Sequence, residues 1–369
     1  MRLKEVEVHI PQSKEHGDFS TNIAMALSSK TNMSPIKLGN EIKNKILSKY
    51  DFFKEIKIEG PGFINFYLEE EYLYNAILET VESGEFKEFE QSNKKTIKIC
   101  VVLDKLSSII GLENFRAFMN MYYLGNIYSF AGYDVEKLIV VNYIDKDMYT
   151  SYFLSNFKNI EITDDYNRLE GSIVFCSPEN QWLFHDNLEA ERFVVERVKV
   201  YKNKHEIKNM TLNSLMEKIG LNRLKYTFCT RSLNSEVELE ITRDDLKYVQ
   251  YPYSRISSLM NILKKEGINI KNVEDYNKAF SYNDLEKELI KKLPEFKDAL
   301  VTSMELGQPY RLIRYGDELC EVFYKVNNFT LFRQLHTEKL EILLKALNCV
   351  KIVIKEVLML LEVPMYEKM

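Results

Sequence analysis

The 369-residue sequence predicts an α/β plus all-α protein with three parts: an N-terminal α+β module, a parallel-sheet domain and a C-terminal helical bundle. Three observations predict this order. Two β-like runs flank a Gly-Pro-Gly turn at residues 60–62, apolar strands alternate with a helical stretch between residues 97 and 177, and the pattern beyond residue 210 is almost wholly helical. Gly (13) and Pro (8) are scarce, which favours helices over a turn-rich β protein.

The N-terminal module is predicted at residues 1–92. It starts with alternating apolar residues at 6–10, which indicate a short strand, and continues with a helical stretch at about 20–30. A second helix begins at Ser34-Pro35, because Ser is a good N-cap and Pro suits the first helical position. The two β-like runs around the Gly-Pro-Gly turn complete the α+β pattern.

The parallel-sheet domain is predicted at residues 96–245. Residues 97–103 and 137–144 are apolar strands, and the helical stretch 114–131 lies between them. Strand, crossover helix and strand form the βαβ unit of a parallel sheet. Residues 172–177 are a third buried strand, so we expect a reduced, Rossmann-like sheet.

The C-terminal helical domain is predicted at residues 246–369. Its most apolar stretch, residues 340–361, is interrupted by Lys345, Asn348, Lys351 and Lys355, which lie three or four positions apart. Such spacing makes one polar stripe on an otherwise buried helix. We therefore expect a core helix there and no membrane partner.

Composition limits the classes of function. The five cysteines are scattered and form no CxxC pair, which is typical of reduced, buried thiols in a cytoplasmic protein, and the five histidines have no metal-ligand spacing. We expect no metal. The formal net charge is −5 and no segment is a basic arm, so composition alone does not support nucleic-acid binding, and DNA is not an expected partner.

Two motifs in the N-terminal module carry a family resemblance. GDFSTN at residues 17–22 is followed by GPGFIN at residues 60–65, and the pair resembles the N-terminal additional domain of arginyl-tRNA synthetases, which contacts the corner of the tRNA. The resemblance implies tRNA-binding roles for Gly17, Asp18, Phe19 and Asn22. A simpler interpretation stays open, in which the polar residues cap the next helix and the glycines form turns.

Further motifs extend the resemblance along the chain. AGYDV at residues 131–135 is similar to the first half of the class I synthetase nucleotide-binding fold, and residues 223–256 resemble the passage from the catalytic to the anticodon-binding domain. YRLIRY at 310–315 and the chain end at 363–369 resemble a DALR-type anticodon domain. These motifs imply tRNA contacts by Tyr310, Arg314, Tyr315, Tyr366 and Met369, although each tyrosine can equally be a helix-packing residue.

The resemblance implies that catalytic residues have been lost in the middle of the chain. Class I synthetases activate their amino acid with ATP through a HIGH-type loop at the start of the crossover helix, where two imidazoles contact phosphates. If Arg116 and Gly132 keep the family separation, the equivalent positions are Gly111, Leu112, Glu113 and Asn114. Both imidazoles are absent, and a glutamate replaces a glycine beside an anionic substrate. Each tenfold loss of rate corresponds to about 1.4 kcal/mol, and we expect several powers of ten.

The second catalytic loop of the family, a KMSK-like mobile loop, is missing too. Residues 201–211 contain lysines but lack the Gly-rich stretch, and we interpret them as an exposed turn. The segment 177–182 keeps Gln181 but lacks the family's Gly-Ala-Asp lead. We therefore expect no cofactor and doubt that ATP binds.

The leading hypothesis is a shortened, non-catalytic paralogue, or pseudoenzyme, that still binds tRNA, most naturally an arginine tRNA, through its N-terminal and C-terminal domains. One alternative is a protein-interaction or regulatory scaffold derived from a synthetase, with a protein partner. Another is a divergent but active arginine–tRNA ligase.

Overall fold

In a computed structural model of the chain, the residues described are 8–9, 11, 13–89, 96–144, 148–183, 189–268 and 282–368. The chain divides into two compact units, Met1–Ile77 and Leu78–Met369. Of the predicted strand at residues 6–10, only Val8 and His9 fall within the described residues, and His9 pairs with Ser20 in an isolated antiparallel bridge.

The first unit is an antiparallel sheet with two helices. Its elements are β1 (Phe19–Thr21), α1 (Ile23–Thr31), α2 (Pro35–Leu47), β2 (Phe53–Glu59), β3 (Phe63–Leu68) and the start of α3 (Glu70–Ser83), with strand order β1-β3-β2. The predicted start of α2 is confirmed, because the Ser34 side chain accepts a hydrogen bond from the Lys37 backbone NH. The predicted hairpin is confirmed as β2 and β3. Ala24, Ile56 and Ile64 form the buried core between helices and sheet.

The second unit contains a five-stranded sheet in which every neighbouring pair is parallel. Its elements are β4 (Thr96–Lys105), α4 (Leu112–Phe130), β5 (Asp134–Tyr143), α5 (Met148–Leu154), β6 (Ile160–Thr163), β7 (Ile173–Cys176) and β8 (Glu191–Val194), with strand order β6-β5-β4-β7-β8. The predicted βαβ unit is confirmed as β4, α4 and β5. Gly132 follows α4 with φ +89°, the left-handed conformation that ends many helices.

A small second sheet was not foreseen. It contains β9 (Val198–Lys202), β10 (His205–Glu206) and β11 (Val237–Glu240), and the helices α6 (Leu212–Ile219) and α7 (Leu221–Thr227) lie between β10 and β11. Val237 pairs with Val198 in a parallel register. The strands are short, and β11 is distant in sequence from its partner β9, so periodicity alone gives a weak signal for this sheet.

The C-terminal region is helical, as predicted. Its helices are α8 (Asp245–Lys265), α9 (Asp284–Lys291), α10 (Glu295–Glu305), α11 (Tyr310–Phe329) and α12 (Thr337–Leu360). Most of α12 is buried, so the predicted core helix is confirmed. No helix among the described residues has the length and apolar character needed to cross a membrane. All five cysteines are buried and unpaired, which confirms the prediction of buried thiols.

Candidate functional site

The crevice at the carboxyl end of the parallel sheet is the first candidate site. The chain adds β5 and β6 on one side of β4 and then crosses to add β7 and β8 on the other, so the strand order reverses between β4 and β7. Open parallel sheets bind nucleotides at such a switch point. Gly111 lies directly before α4 at this edge, so residues 111–114 lie where the sequence comparison places the activating loop.

Two buried asparagines occupy this crevice. Asn180, on a 3-10 helix (Pro178–Leu183) that follows β7, donates from Nδ2 to Asn114 Oδ1 at 2.9 Å and to the Val102 carbonyl at 3.4 Å. Asn114 Nδ2 in turn donates to the Ser108 carbonyl at 2.8 Å. Asn114 and Asn180 are 7% and 5% exposed. The protein's own hydrogen bonds therefore connect α4, β4 and the segment after β7 at this crevice. The sequence analysis gave no role to Asn180, although it considered the neighbouring Gln181.

Glu113 is held at the start of α4. Its Oε1 accepts a hydrogen bond from the Val198 backbone NH at 3.2 Å. A carboxylate in the first turn of a helix is favourable because the helix dipole is positive there. That carboxylate repels an anionic phosphate from the same helix end. Glu113 thus has a structural partner as well as an electrostatic effect at this helix end.

Arg116 serves the fold from the next turn of α4. Its guanidinium is fully buried and donates to the Glu196 carbonyl at 2.7 Å and to the Ser232 carbonyl at 2.8 Å. Burial lowers the pKa of Arg116 to about 10. These bonds fasten α4 to the segments that flank the small sheet.

The lysine-containing residues 201–211 include the exposed turn that the sequence predicted. Asn203 and Lys204 have φ of 52° and 68° and connect β9 to β10 as a two-residue hairpin. The Glu240 carboxylate accepts hydrogen bonds from both of their backbone NH groups, at 3.2 and 3.1 Å. Hydrogen bonds, first from the Thr242 hydroxyl, lower the pKa of Glu240 to about 2. The Glu240 carboxylate thus holds the backbone of this turn.

In the first unit, Gly17 and Asp18 fasten the sheet. Gly17 has φ +91°, and a Cβ there would lie 2.5 Å from the Phe66 carbonyl oxygen. Asp18 donates from its backbone NH to that carbonyl, and its Oδ2 accepts from the Leu68 NH at 2.8 Å. Phe19 is half-buried, whereas Asn22 is exposed and its side chain makes no capping bond. Among these four candidates, Asn22 is the residue most open to a ligand.

The candidates on α11 lie at its first turns. Tyr315 is 4% exposed and its hydroxyl donates to the Lys292 carbonyl at 3.1 Å, so it packs the bundle and offers no ring face to a base. Arg314 is exposed and pairs with Glu318 at 2.9 Å. Tyr310 is half-buried, and the Arg311 guanidinium lies 4.8 Å from the centroid of its ring.

The other end of α11 takes part in an aromatic cluster that sequence reasoning missed. We call Tyr248, Tyr251 and Tyr324 the tyrosine stack. Tyr324 stacks on Tyr248 with ring centroids 4.7 Å apart and on Tyr251 at 5.7 Å, with planes 29° and 7° apart. Tyr248 and Tyr251 on α8 are 39% and 37% exposed. With Arg255 they have i, i+3, i+7 spacing, a single helical face that could have been read from the sequence.

A cavity of about 400 Å³ lies further along α8 than the tyrosine stack. Arg255, whose Nε donates to Asn327 Oδ1 at 3.0 Å, lines it together with Ile262 and Arg333. Leu331, at another wall, is 64% exposed. The surface thus combines flat aromatic rings, exposed apolar groups and two guanidiniums, a combination that suits single-stranded bases and their backbone.

The chain end lies along α8. Gln250 Nε2 donates to the Pro364 carbonyl at 2.7 Å, Ser254 Oγ to the Tyr366 carbonyl, and Ser258 Oγ to the Glu367 carbonyl at 3.3 Å. Tyr366 is 48% exposed. Met369 lies outside the described residues.

The candidates on the C-terminal helices therefore fall into two groups. Tyr366, in the chain end, lies against α8, the helix that carries two of the three residues of the tyrosine stack. Tyr310 is 14 residues from Tyr324 on α11, a rise of roughly 21 Å at about 1.5 Å per residue. Tyr310 and Arg314 are thus well separated from the stack.

Comparisons with known proteins match both ends and the whole length of the chain. The model of the arginyl tRNA synthetase N terminal domain matches residues 1–68, and that of the DALR anticodon binding domain matches residues 249–369. Arginine–tRNA ligase of Staphylococcus epidermidis is 21% identical over 530 aligned positions, which cover all of this chain and 95% of the relative. Because this chain has 369 residues, the remaining positions face gaps in it.

Solved structures match the fold. Thermus thermophilus arginyl-tRNA synthetase aligns with a TM-score of 0.55 and 12% identity, covering 99% of this chain and 96% of that one. The arginyl-tRNA synthetase of Plasmodium falciparum aligns with a TM-score of 0.54 and 14% identity, covering 100% of this chain and 96% of that one.

Proposed function

We propose that this chain, which belongs to the arginyl-tRNA synthetase family, binds tRNA and does not activate arginine. It has an anticodon-binding domain of the DALR type. Relatives named as arginine–tRNA ligases support an arginine tRNA as the partner.

The hydrogen bonds of Asn114 and Asn180 in the crevice are the observation that supports the proposed loss of activation. A nucleotide at the switch point would have to displace Asn180 from Asn114 and from the Val102 carbonyl. Buried polar groups that lose their partners cost about 1–3 kcal/mol each. The phosphates of the nucleotide would then lie near the Glu113 carboxylate, and no imidazole at residues 111–114 would offset the repulsion between these negative charges. These costs oppose both ATP binding and the charge that develops during activation.

The tyrosine stack supports the tRNA-binding half of the proposal. Anticodon-loop bases can stack on partly exposed tyrosine rings, and each stack contributes about 1–3 kcal/mol. Arg255 and Arg333 beside the stack can bind phosphates or stack on bases. The chain is acidic overall, so binding depends on this local arrangement and weakens as salt rises.

Arginine-dependent exchange of pyrophosphate into ATP tests the catalytic half. We expect no exchange above a blank that lacks arginine, with a working arginyl-tRNA synthetase as the positive control. Turnover within the usual enzyme range of about 1–1,000 per second would instead establish a divergent ligase.

A filter-binding titration at low salt tests the tRNA-binding half. We expect retention of an arginine tRNA transcript by the wild-type chain and weaker retention by Tyr324→Ala, which removes the ring that both other tyrosines contact. No retention of any tRNA by the wild type contradicts the proposal. A stoichiometric protein partner isolated without RNA would then favour the scaffold alternative.

A further inference from the structure

A second cavity of the C-terminal helices has a different lining. It has a volume of about 350 Å³, and Ser257, Asn261 and Lys264 of α8 line it opposite Lys351 of α12. The three α8 residues have i, i+4, i+7 spacing, so they share one helical face. Glu367 at the chain end also lines the cavity. The lining therefore presents a hydroxyl, an amide and two ammonium groups against one carboxylate.

The two lysines of the lining form no ion pair with a carboxylate in the part of the chain that the structure describes. The Lys351 Nζ lies 5.8 Å from the centroid of the Tyr253 ring, and Lys264 is exposed. With Glu367 counted, the described lining residues carry one net positive charge in a protein of net charge −5. A positive cavity on an acidic protein attracts an anion.

The accessible polar groups of the lining are suited to an anion. The Asn261 amide and the two ammonium groups can all donate hydrogen bonds, which fits an oxyanion with several acceptor oxygens. Ser257, in the wall of the cavity, is 5% exposed, and its Oγ has no hydrogen-bond partner among the described residues.

The cavity lies across the chain end from the tyrosine stack. Gln250, Ser254 and Ser258, which hold the chain end, lie on α8 between the face that carries the stack and the face that lines the cavity. The two sites are within roughly 20 Å, given a rise of about 1.5 Å per residue and a helix diameter of about 10 Å. A single bound RNA can touch both.

We propose that this cavity binds a phosphate group through Lys264, Lys351 and Asn261. The group is a backbone phosphate of bound tRNA, an assignment that rests on the proposed function, or free inorganic phosphate. The double variant Lys264→Gln/Lys351→Gln removes both charges. The matched control Lys265→Gln/Lys355→Gln removes an exposed lysine from each of the same two helices without altering the cavity lining.

The first measurement is the affinity for an arginine tRNA transcript between 50 and 200 mM KCl. Each phosphate contact to a single strand contributes about 0.7 to the slope of log affinity against log salt, so loss of this one phosphate in the double variant should lower the slope by about 0.7. The affinity of the double variant should then fall about 2.6-fold less than that of the wild type over this fourfold range of salt. Asn261→Ala should weaken binding without changing the slope, and the control should match the wild type.

The second measurement is thermal unfolding of the RNA-free chain with inorganic phosphate, with potassium chloride at equal ionic strength as the reference. Phosphate should stabilise the wild type but not the double variant if the cavity binds phosphate. If the two proteins also have the same salt slope for tRNA binding, the ligand is free phosphate. An unchanged slope together with no phosphate-specific stabilisation overturns the inference even if tRNA binds. Failure of the wild type to bind tRNA refutes the proposed function, and phosphate stabilisation alone then decides the inference.

Discussion

Replacing Tyr251 by alanine should weaken tRNA binding about 5- to 150-fold. The Tyr251 ring lies against Tyr324 with its plane tilted by only 7°, yet 37% of the residue is exposed, so part of the ring remains open to a base. A base–aromatic stack contributes about 1–3 kcal/mol, and about 1.4 kcal/mol corresponds to a tenfold change in affinity. These values give the expected range.

The chain offers a matched control for this substitution. Tyr133 is also 37% exposed and makes an edge-to-face contact with Tyr128 at 5.3 Å, but it follows α4 rather than lying on the helical bundle. Tyr133→Ala therefore removes an equally exposed ring from a comparable aromatic pair. Tyr251→Phe keeps the stacking ring and should bind within about twofold of the wild type, since it removes only a hydroxyl.

The assay is a filter-binding titration with one arginine tRNA transcript at fixed low salt, accompanied by urea unfolding of each variant. Unfolding should show that Tyr251→Ala remains folded, since an aromatic pair contributes about 0.5–1.5 kcal/mol beyond its buried area. The reasoning is refuted if Tyr251→Ala binds as tightly as the wild type. It is equally refuted if Tyr133→Ala loses as much affinity as Tyr251→Ala.

Three further predictions concern the stability of the second unit. Burial raises the pKa of Asp317 from 3.8 to about 6. The folded protein therefore keeps the proton on this carboxyl to higher pH than the unfolded chain does, and the residue's contribution to stability falls as pH rises from about 4 to 6. Asp317→Asn should remove up to about 3 kcal/mol of that decline, measured as the difference between the unfolding free energies in urea at pH 4 and pH 7. Arg116→Met should lower the unfolding free energy by at least about 2 kcal/mol, because two backbone carbonyls lose a charged donor, and an unchanged urea midpoint would contradict this. Gly307→Ala should destabilise the folded protein by about 1–3 kcal/mol more than Gly220→Ala. Both glycines have positive φ, but only at Gly307 would an added Cβ lie 2.3 Å from the Phe193 ring. Equal decreases in melting temperature for the two variants would contradict this steric argument.

Local signals in the sequence predicted the fold well. Ser34-Pro35 marks the start of α2 and the glycines at 60 and 62 mark the β2–β3 turn, because capping and positive φ depend on a few neighbouring residues. Strand, helix and strand in the order β4, α4, β5 similarly determines a parallel pair. The β9–β11 pairing escaped notice because it joins Val198 to Val237 across two helices.

The candidate site was predicted less completely, for the same physical reason. The absence of imidazoles at residues 111–114 can be read directly from the sequence. The hydrogen bond between Asn180 and Asn114 in the crevice cannot, because it joins residues 66 positions apart. Tyr315 shows the converse problem, since a tyrosine in a resembling motif gives no indication of whether its ring is buried. The face formed by Tyr248, Tyr251 and Arg255 was readable, but Tyr324 joins it only through the packing of α11 on α8.

Sequencing the RNA that co-purifies with the chain tests the central claim of tRNA binding most directly. The wild-type chain and Tyr251→Ala/Tyr324→Ala are purified in parallel at low salt, and the RNA recovered with each is compared with total cellular RNA. We predict that tRNA, with arginine tRNA foremost, is enriched in the wild-type sample and depleted in the variant. Recovery of no tRNA above background with the wild type would contradict the account.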